Sequence, residues 1–256
     1  MCLSAVRRGL GRPLVLLHGW GSSSRVWRKL SVLLAMQFRT TAFDLPGFGF
    51  SDPLETVALD RLSERLLRSI EGRFMILGWS FGGLIALEMA RQAPKRVAGV
   101  VLIATNPCFV RRRDWPHALE TGVFESFAEQ IAAASARALK RFAVLQASNG
   151  AHRSEVVKEL QAAAVGKVPE SHVLLATLTL LSKSDMRHVL MGLHCPIALV
   201  LGEQDALVPV AIRNELTALA PTLCCYVVAG AAHAPFLSHP MQIAAQVKEF
   251  LLCPPR

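Results

Sequence analysis

Ser80, Asp205 and His233 could together supply a nucleophile, an orienting acid and a base. Ser80 lies in Gly78-Trp79-Ser80-Phe81-Gly82, a G-x-S-x-G pattern between the apolar run 74–77 and a helical stretch over 84–92. A sharp strand-to-helix turn lifts such a serine clear of the backbone. Glycines two residues before and after it let strand and helix close around the turn. The amide of Phe81 opens the helix and points to where charge would collect on an attacked carbonyl. A hydroxyl needs a base to become a good nucleophile, and an imidazole base needs an acid to hold its tautomer. Asp205 follows the apolar run 196–202, and His233 lies in the loop 230–236 after Cys224-Cys225-Tyr226-Val227-Val228. Both are therefore expected at strand ends, on the same sheet edge as Ser80.

The elements that would position these residues follow from periodicity. Apolar runs at 14–17, 40–43, 74–77 and 97–104 read as strands, and the stretches between them read as helices, with one amphipathic helix over 54–71. Strand and helix in alternation imply a doubly wound, mostly parallel sheet with right-handed crossovers. From residue 107 to 187 no strand is evident. Helices are expected over 124–138, 138–146, 154–165 and 171–182, with breaks near 149–150 and 166–169. An insertion of this kind predicts a helical cap over 107–187 above a core domain made of 1–106 and 188–256. A helix over 210–220, a strand over 224–228 and a helix over 240–252 complete the core.

The turn His18-Gly19-Trp20-Gly21 after the first strand is placed to supply a second oxyanion donor, the backbone N–H of Trp20, with its indole lining the pocket. His18 reads as a structural hydrogen-bonding residue and Asp44 as a brace for the loop 44–51.

Composition narrows the rest. Hydrophobic residues make up 52% of the 256 positions and charged residues 18%, enough apolar side chain for a large core. Prolines and glycines break the long uncharged stretch 216–247, so no membrane helix is expected. Six cysteines without a C-x-x-C pair predict free thiols in the cytoplasm, and no metal or cofactor site is expected. The net charge of +9 carries no aromatic-interleaved basic pattern of the nucleic-acid kind. Between 136 and 168 stand six basic residues and two acidic ones, which would steer an acidic partner to the cap. An aspartate at position 80 would suggest an epoxide or haloalkane hydrolase. A serine leaves open acyl transfer from esters or thioesters, and carbon–carbon hydrolysis of a ketone.

The order serine, acid, histidine and the elbow resemble the α/β-hydrolase superfamily over nearly the whole chain. More narrowly, the sequence resembles the pimeloyl-[acyl-carrier protein] methyl ester esterases of the biotin pathway. The shared segments include Leu14-Val15-Leu16-Leu17-His18-Gly19-Trp20-Gly21, Asn106-Pro107-Cys108-Phe109 with Asp114-Trp115-Pro116, Lys140-Arg141-Phe142 and Ala231-Ala232-His233-Ala234-Pro235-Phe236. The resemblance implies the α/β-hydrolase fold and a serine carboxylesterase that cleaves the methyl ester of a carrier-bound seven-carbon chain. It implies Ser80, Asp205 and His233 as catalytic residues, and Trp20 and Phe81 as oxyanion donors. Trp20, Trp79 and Phe142 are implied along the acyl pocket. Arg137 and Arg141, with Arg153 and Lys158, are implied as contacts to an acidic acyl carrier protein. A monomer is expected, and a general short-chain carboxylesterase acting on free esters is the alternative.

Overall fold

A computed structural model describes residues 2–164 and 168–253. Its seven-stranded sheet has the order β1-β3-β2-β4-β5-β6-β7. The strands are β1 (Ala5–Arg8), β2 (Arg12–Leu17), β3 (Phe38–Phe43), β4 (Phe74–Trp79), β5 (Val97–Ile103), β6 (Ile197–Gly202) and β7 (Cys224–Val228). Only β1 runs antiparallel to its neighbour; the other pairs are parallel. The architecture is the doubly wound sheet that the strand–helix alternation predicts.

Helices cover both faces. On one, α2 (Leu59–Leu67) packs against α3 (Phe81–Gln92); on the other, α1 (Arg28–Leu34) packs against α10 (Pro240–Leu252). Strand β4 shows how the sequence serves both layers. Phe74 and Ile76 join the core on the α2/α3 side, while Met75, Leu77 and Trp79 join the other. A strand buried on both faces needs apolar residues throughout, which is why these strands read as unbroken runs. Each fully buried Leu, Ile or Phe contributes about 1.5–3 kcal/mol, so the two layers are the main source of stability.

Register brings the functional loops to one edge. Leu17 pairs with Gly78, Trp79 with Ile103, Ile103 with Val200 and Gly202 with Val228. The segments after β2, β4, β6 and β7 thus leave the sheet side by side at its carboxyl end.

Between β5 and β6 lie α4 (Thr121–Gln146), α5 (Arg153–Ala164), α6 (Ser171–Lys183) and α7 (Arg187–Gly192). Helix α4 consists of two helical segments that meet at a kink at Ala134 (φ −162°, ψ 76°), rather than at the junction expected at 138. The base of this segment is tied shut. The Met186 amide donates to the Pro107 carbonyl at 2.8 Å. The Arg187 guanidinium bridges Asp114 (2.8 Å) and Asp185 (2.7 Å), and its cation lies over the Trp115 ring. The expected break at 166–169 and Lys167 fall partly or wholly outside the described residues.

Three other boundaries differ from expectation. Strand β1 has no signal in the hydropathy pattern: three of its four residues are exposed, and an edge strand with two arginines carries no apolar run. Helix α2 is shorter than 54–71, because Ala58 is still extended and Ser69 closes a turn onto Leu66. Helix α8 (Ile212–Leu219) falls within the expected 210–220, whereas the short helices α7 and α9 (Pro235–Ser238) carry too few residues for periodicity to register.

Candidate active site

Ser80 occupies the junction of β4 and α3 with φ +53° and ψ −116°. A side chain at positive φ costs on the order of 1–3 kcal/mol and persists only where its surroundings over-determine it. Here they do. The Ser80 amide donates to the Ile103 carbonyl at 2.9 Å, and the Ser80 carbonyl accepts the Gly83 amide at 2.9 Å and the Thr105 hydroxyl at 3.4 Å. The flanking glycines are needed for closeness. A Cβ on Gly78 would lie 2.5 Å from the Gly82 carbonyl oxygen, and one on Gly82 would lie 2.3 Å from that of Leu17.

Asp205 sits just past β6 and is buried. One carboxylate oxygen accepts the amides of Leu207 (2.8 Å) and Val208 (3.1 Å). The other lies 2.8 Å from Nδ1 of His233. An ionised carboxylate only accepts, so Nδ1 carries the proton and Nε2 is left as the basic nitrogen. The His233 loop comes close because Gly202 has no side chain; a Cβ there would lie 2.2 Å from the Ala232 carbonyl oxygen.

Ser80 and His233 both line a cavity of about 500 Å³ beneath the helices that follow β5. Trp20, Phe142 and Arg141 line it as well. The Trp20 indole N–H donates to the Thr177 hydroxyl at 2.9 Å, and its ring stands edge-on to Phe127 and Phe142. Trp20 itself lies in the turn after β2. Phe81 is the first residue of α3, so its amide has no intrahelical carbonyl to meet. Phe109, Phe124, Leu145 and Leu178 complete much of the apolar wall. Sequence reasoning places these residues on helices or loops but does not say which of them face inward; their apolar spacing is the only signal.

One expected pocket residue lies elsewhere. Trp79 is fully buried outside the cavity lining, on the α1/α10 side of the sheet. Strand alternation puts it with Met75 and Leu77, where it packs edge-on against Phe236. Its indole N–H donates to the backbone carbonyl of His233 at 2.7 Å.

The supporting residues near the site are structural. His18 accepts the Leu45 amide at Nε2 (2.9 Å), and its Nδ1–H donates to the Gly19 carbonyl (2.8 Å). Burial pushes its pKa from 6.5 down to about 4, against the opposing pull of the Gly19 carbonyl and Asp44. Asp44 braces its loop by accepting the amides of Ser24 and Phe50.

A family model for the α/β hydrolase fold matches residues 12–240. A pimeloyl-[acyl-carrier protein] methyl ester esterase from Nitrosomonas europaea is 36% identical over 238 residues, covering 93% of this chain and 94% of its own. One from Edwardsiella ictaluri is 36% identical, covering 93% of each chain. The chain belongs to this esterase family of α/β-hydrolases. Among solved structures, an esterase from Exiguobacterium antarcticum superposes with a TM-score of 0.89 at 20% identity, covering 98% of this chain and 95% of its own. A bromoperoxidase from Bacillus anthracis does so with a TM-score of 0.89 at 23% identity, covering 98% and 95%. These two establish the fold alone.

In this α/β-hydrolase, the four basic residues expected at a carrier contact are all exposed. Arg137 and Arg141 lie one turn apart on α4, with Arg141 reaching the cavity; Arg153 and Lys158 lie on α5. Among the described residues none of the four makes an ion pair, so all keep their charge available. The separate run 111–113 differs: Arg111 pairs with Glu120, and Arg112 lies 3.9 Å from Asp185. Among the described residues no group of His, Cys, Asp and Glu is arranged to hold a metal.

Proposed function

We propose that the protein is a serine carboxylesterase that hydrolyses the methyl ester of a pimeloyl chain borne by acyl carrier protein, in biotin synthesis. Ser80 Oγ attacks the ester carbonyl while its proton passes to Nε2 of His233. The charge that develops on the carbonyl oxygen is met by the amides of Phe81 and Trp20. His233 then protonates the departing methoxide, which leaves as methanol. Water, deprotonated by the same imidazole, attacks the acyl-enzyme and regenerates Ser80 with release of the free carboxylate. Asp205 holds the Nδ1–H tautomer throughout and stabilises the imidazolium.

One observation carries this reading. The cavity that holds Ser80 and His233 is walled by aromatic and aliphatic side chains and reaches exposed Arg141. An apolar channel suits a polymethylene chain, and a cationic approach suits a phosphate-linked, acidic carrier. The identity to esterases of that name supports the same substrate. We take residues 107–187 as a cap over a core of 1–106 and 188–256, with Arg137, Arg141, Arg153 and Lys158 facing the carrier. We place the enzyme, as a monomer, in the cytoplasm, in keeping with six unpaired thiols. No helix among the described residues is long and apolar enough to cross a membrane.

The test is methanol release by purified protein from the carrier-bound methyl ester and from the free methyl ester of the same chain. Higher kcat/KM with the carrier, and a loss of about 10,000-fold or more in Ser80→Ala, is expected. Equal turnover of both esters would point to a general carboxylesterase, and a fully active Ser80→Ala would overturn the mechanism.

A further inference from the structure

His233 is held at three points, and two of them come from residues outside the expected catalytic set. Its Nδ1 meets Asp205, as described. Its backbone carbonyl accepts the Trp79 indole N–H at 2.7 Å. Its backbone amide donates to the carbonyl of Gln146, the last residue of α4, at 3.1 Å. The turn after α4 then grips the rest of the loop. The Ala151 amide donates to the Gly230 carbonyl at 2.7 Å. Gly150 lies so close to Ala232 that a Cβ on it would stand 2.7 Å from the Ala232 Cβ and 2.9 Å from its amide nitrogen. Asn149 and His152 on either side adopt φ of +63° and +55°. Such conformations cost free energy, and the contacts across to Gly230 and Ala232 hold the turn in place.

We infer that Trp79 and the turn 146–152 are positioning elements for the imidazole of His233. Trp79 fixes the histidine's carbonyl from beneath the sheet edge. The end of α4 fixes its amide from above. The two peptide planes that meet at the His233 Cα are each pinned, which leaves the side chain little freedom except about its own bonds. With Asp205 on Nδ1, these bonds fix the ring that shares the cavity with Ser80. The upper support has a further consequence. Arg141, Phe142 and Leu145 occupy the last two turns of the same helix and line the cavity. Whatever occupies the cavity or docks on Arg141 therefore bears on the helix whose final carbonyl holds the base.

The inference rests on His233 being the general base, and the experiment separates the two. Trp79→Phe keeps a large ring in the core but removes the N–H. Gly150→Ala pushes a methyl group into Ala232. Each is expected to lower kcat for a small soluble ester by about tenfold, the worth of one misplaced or lost buried hydrogen bond, with KM little changed. Each is also expected to shift the acidic limb of the pH–kcat/KM profile and the proton resonance of the Nδ1–H of His233. In Gly150→Ala, adding Ala232→Gly removes the closer of the two clashes and is expected to recover part of kcat. A purely structural role would lower Tm alone. Wild-type kcat and an unmoved pH profile in both variants would overturn the inference, provided that His233→Asn is inactive. An active His233→Asn would instead overturn the base assignment on which it stands.

Discussion

Oδ2 of Asp205 lies 2.8 Å from Nδ1 of His233, while Oδ1 of the same carboxylate is tied to the amides of Leu207 and Val208. One oxygen serves the loop and the other serves the imidazole. Asp205→Asn separates those duties. Its amide oxygen can still accept from the loop, but its NH₂ then faces Nδ1 and selects the wrong tautomer. We expect kcat to fall by about 1,000- to 10,000-fold with an unchanged Tm. A loss of less than tenfold would deny Asp205 its role.

The carrier-facing charge is tested at Arg137 and Arg141. Reversing both to Glu is expected to raise KM for carrier-bound ester by about tenfold or more and to leave a small soluble ester almost untouched. Raising salt should erase much of the wild-type preference, because exposed charges are screened beyond about 8–10 Å. A matched effect on both esters would place the carrier elsewhere.

Phe142 meets Trp20 edge-on in the cavity wall and is itself only partly buried. Phe142→Ala is expected to weaken binding of a seven-carbon ester by about 1–2 kcal/mol, read as KM, while an acetate ester is hydrolysed as before. Equal changes for long and short chains would show that this wall does not measure chain length.

His18 makes stability depend on pH. Its folded pKa lies near 4 and its ordinary value is 6.5, so the unfolded chain binds more protons between these limits. The stabilisation is complete above pH 6.5 and is lost as pH falls toward 4, by roughly 3 kcal/mol in all. Urea unfolding at pH 7 and pH 4.5 should show a smaller acid loss in His18→Asn than in the wild type. Parallel losses would contradict the linkage.

The elbow's glycines offer a check on packing. Gly82→Ala places a methyl group 2.3 Å from the Leu17 carbonyl oxygen, and backbone on both sides leaves no flexible group to yield. A fall in stability of about 2–3 kcal/mol is expected by denaturant unfolding. An unaltered midpoint would mean that the start of α3 and the end of β2 move apart more easily than this closeness implies.

Much of this was legible in the chain because it depends on strong local signals. Strand β7 and helix α10 begin and end where apolar runs and Pro240 predict. Ser80, Asp205 and His233 read as strand-end residues, and parallel register brings such ends together. What was illegible depends on tertiary contact. Strand β1 exists only because β3 offers it partners. The kink at Ala134 adjoins Ser135, whose hydroxyl donates to the Ile131 carbonyl at 2.8 Å, and a single serine in a helical stretch does not announce such a bond. The family resemblance implies Trp79 as a pocket residue, yet adjacent residues at a strand end point to opposite faces, and Trp79 turns away from the cavity that Ser80 lines. The carbonyl of Gln146 could not be foreseen as a support, because a backbone atom leaves no trace in residue type.

The hydrogen bond from Met186 to Pro107 closes the inserted helices at their base, so the chain leaves the sheet and rejoins it at neighbouring points. Such a junction is a natural seam for recombination: a helical cassette from a relative could be spliced there without stretching the core. A chimera made this way would exchange the cavity-lining side chains of these helices in one step, while Trp20 and Leu207 would stay. It would also inherit a foreign turn after its first long helix, and with it a new placement of the backbone carbonyl that accepts the amide of His233. Exchange of specificity between such enzymes should therefore succeed for binding before it succeeds for turnover, and the second step should be recovered by changes in the turn 146–152 rather than in the pocket.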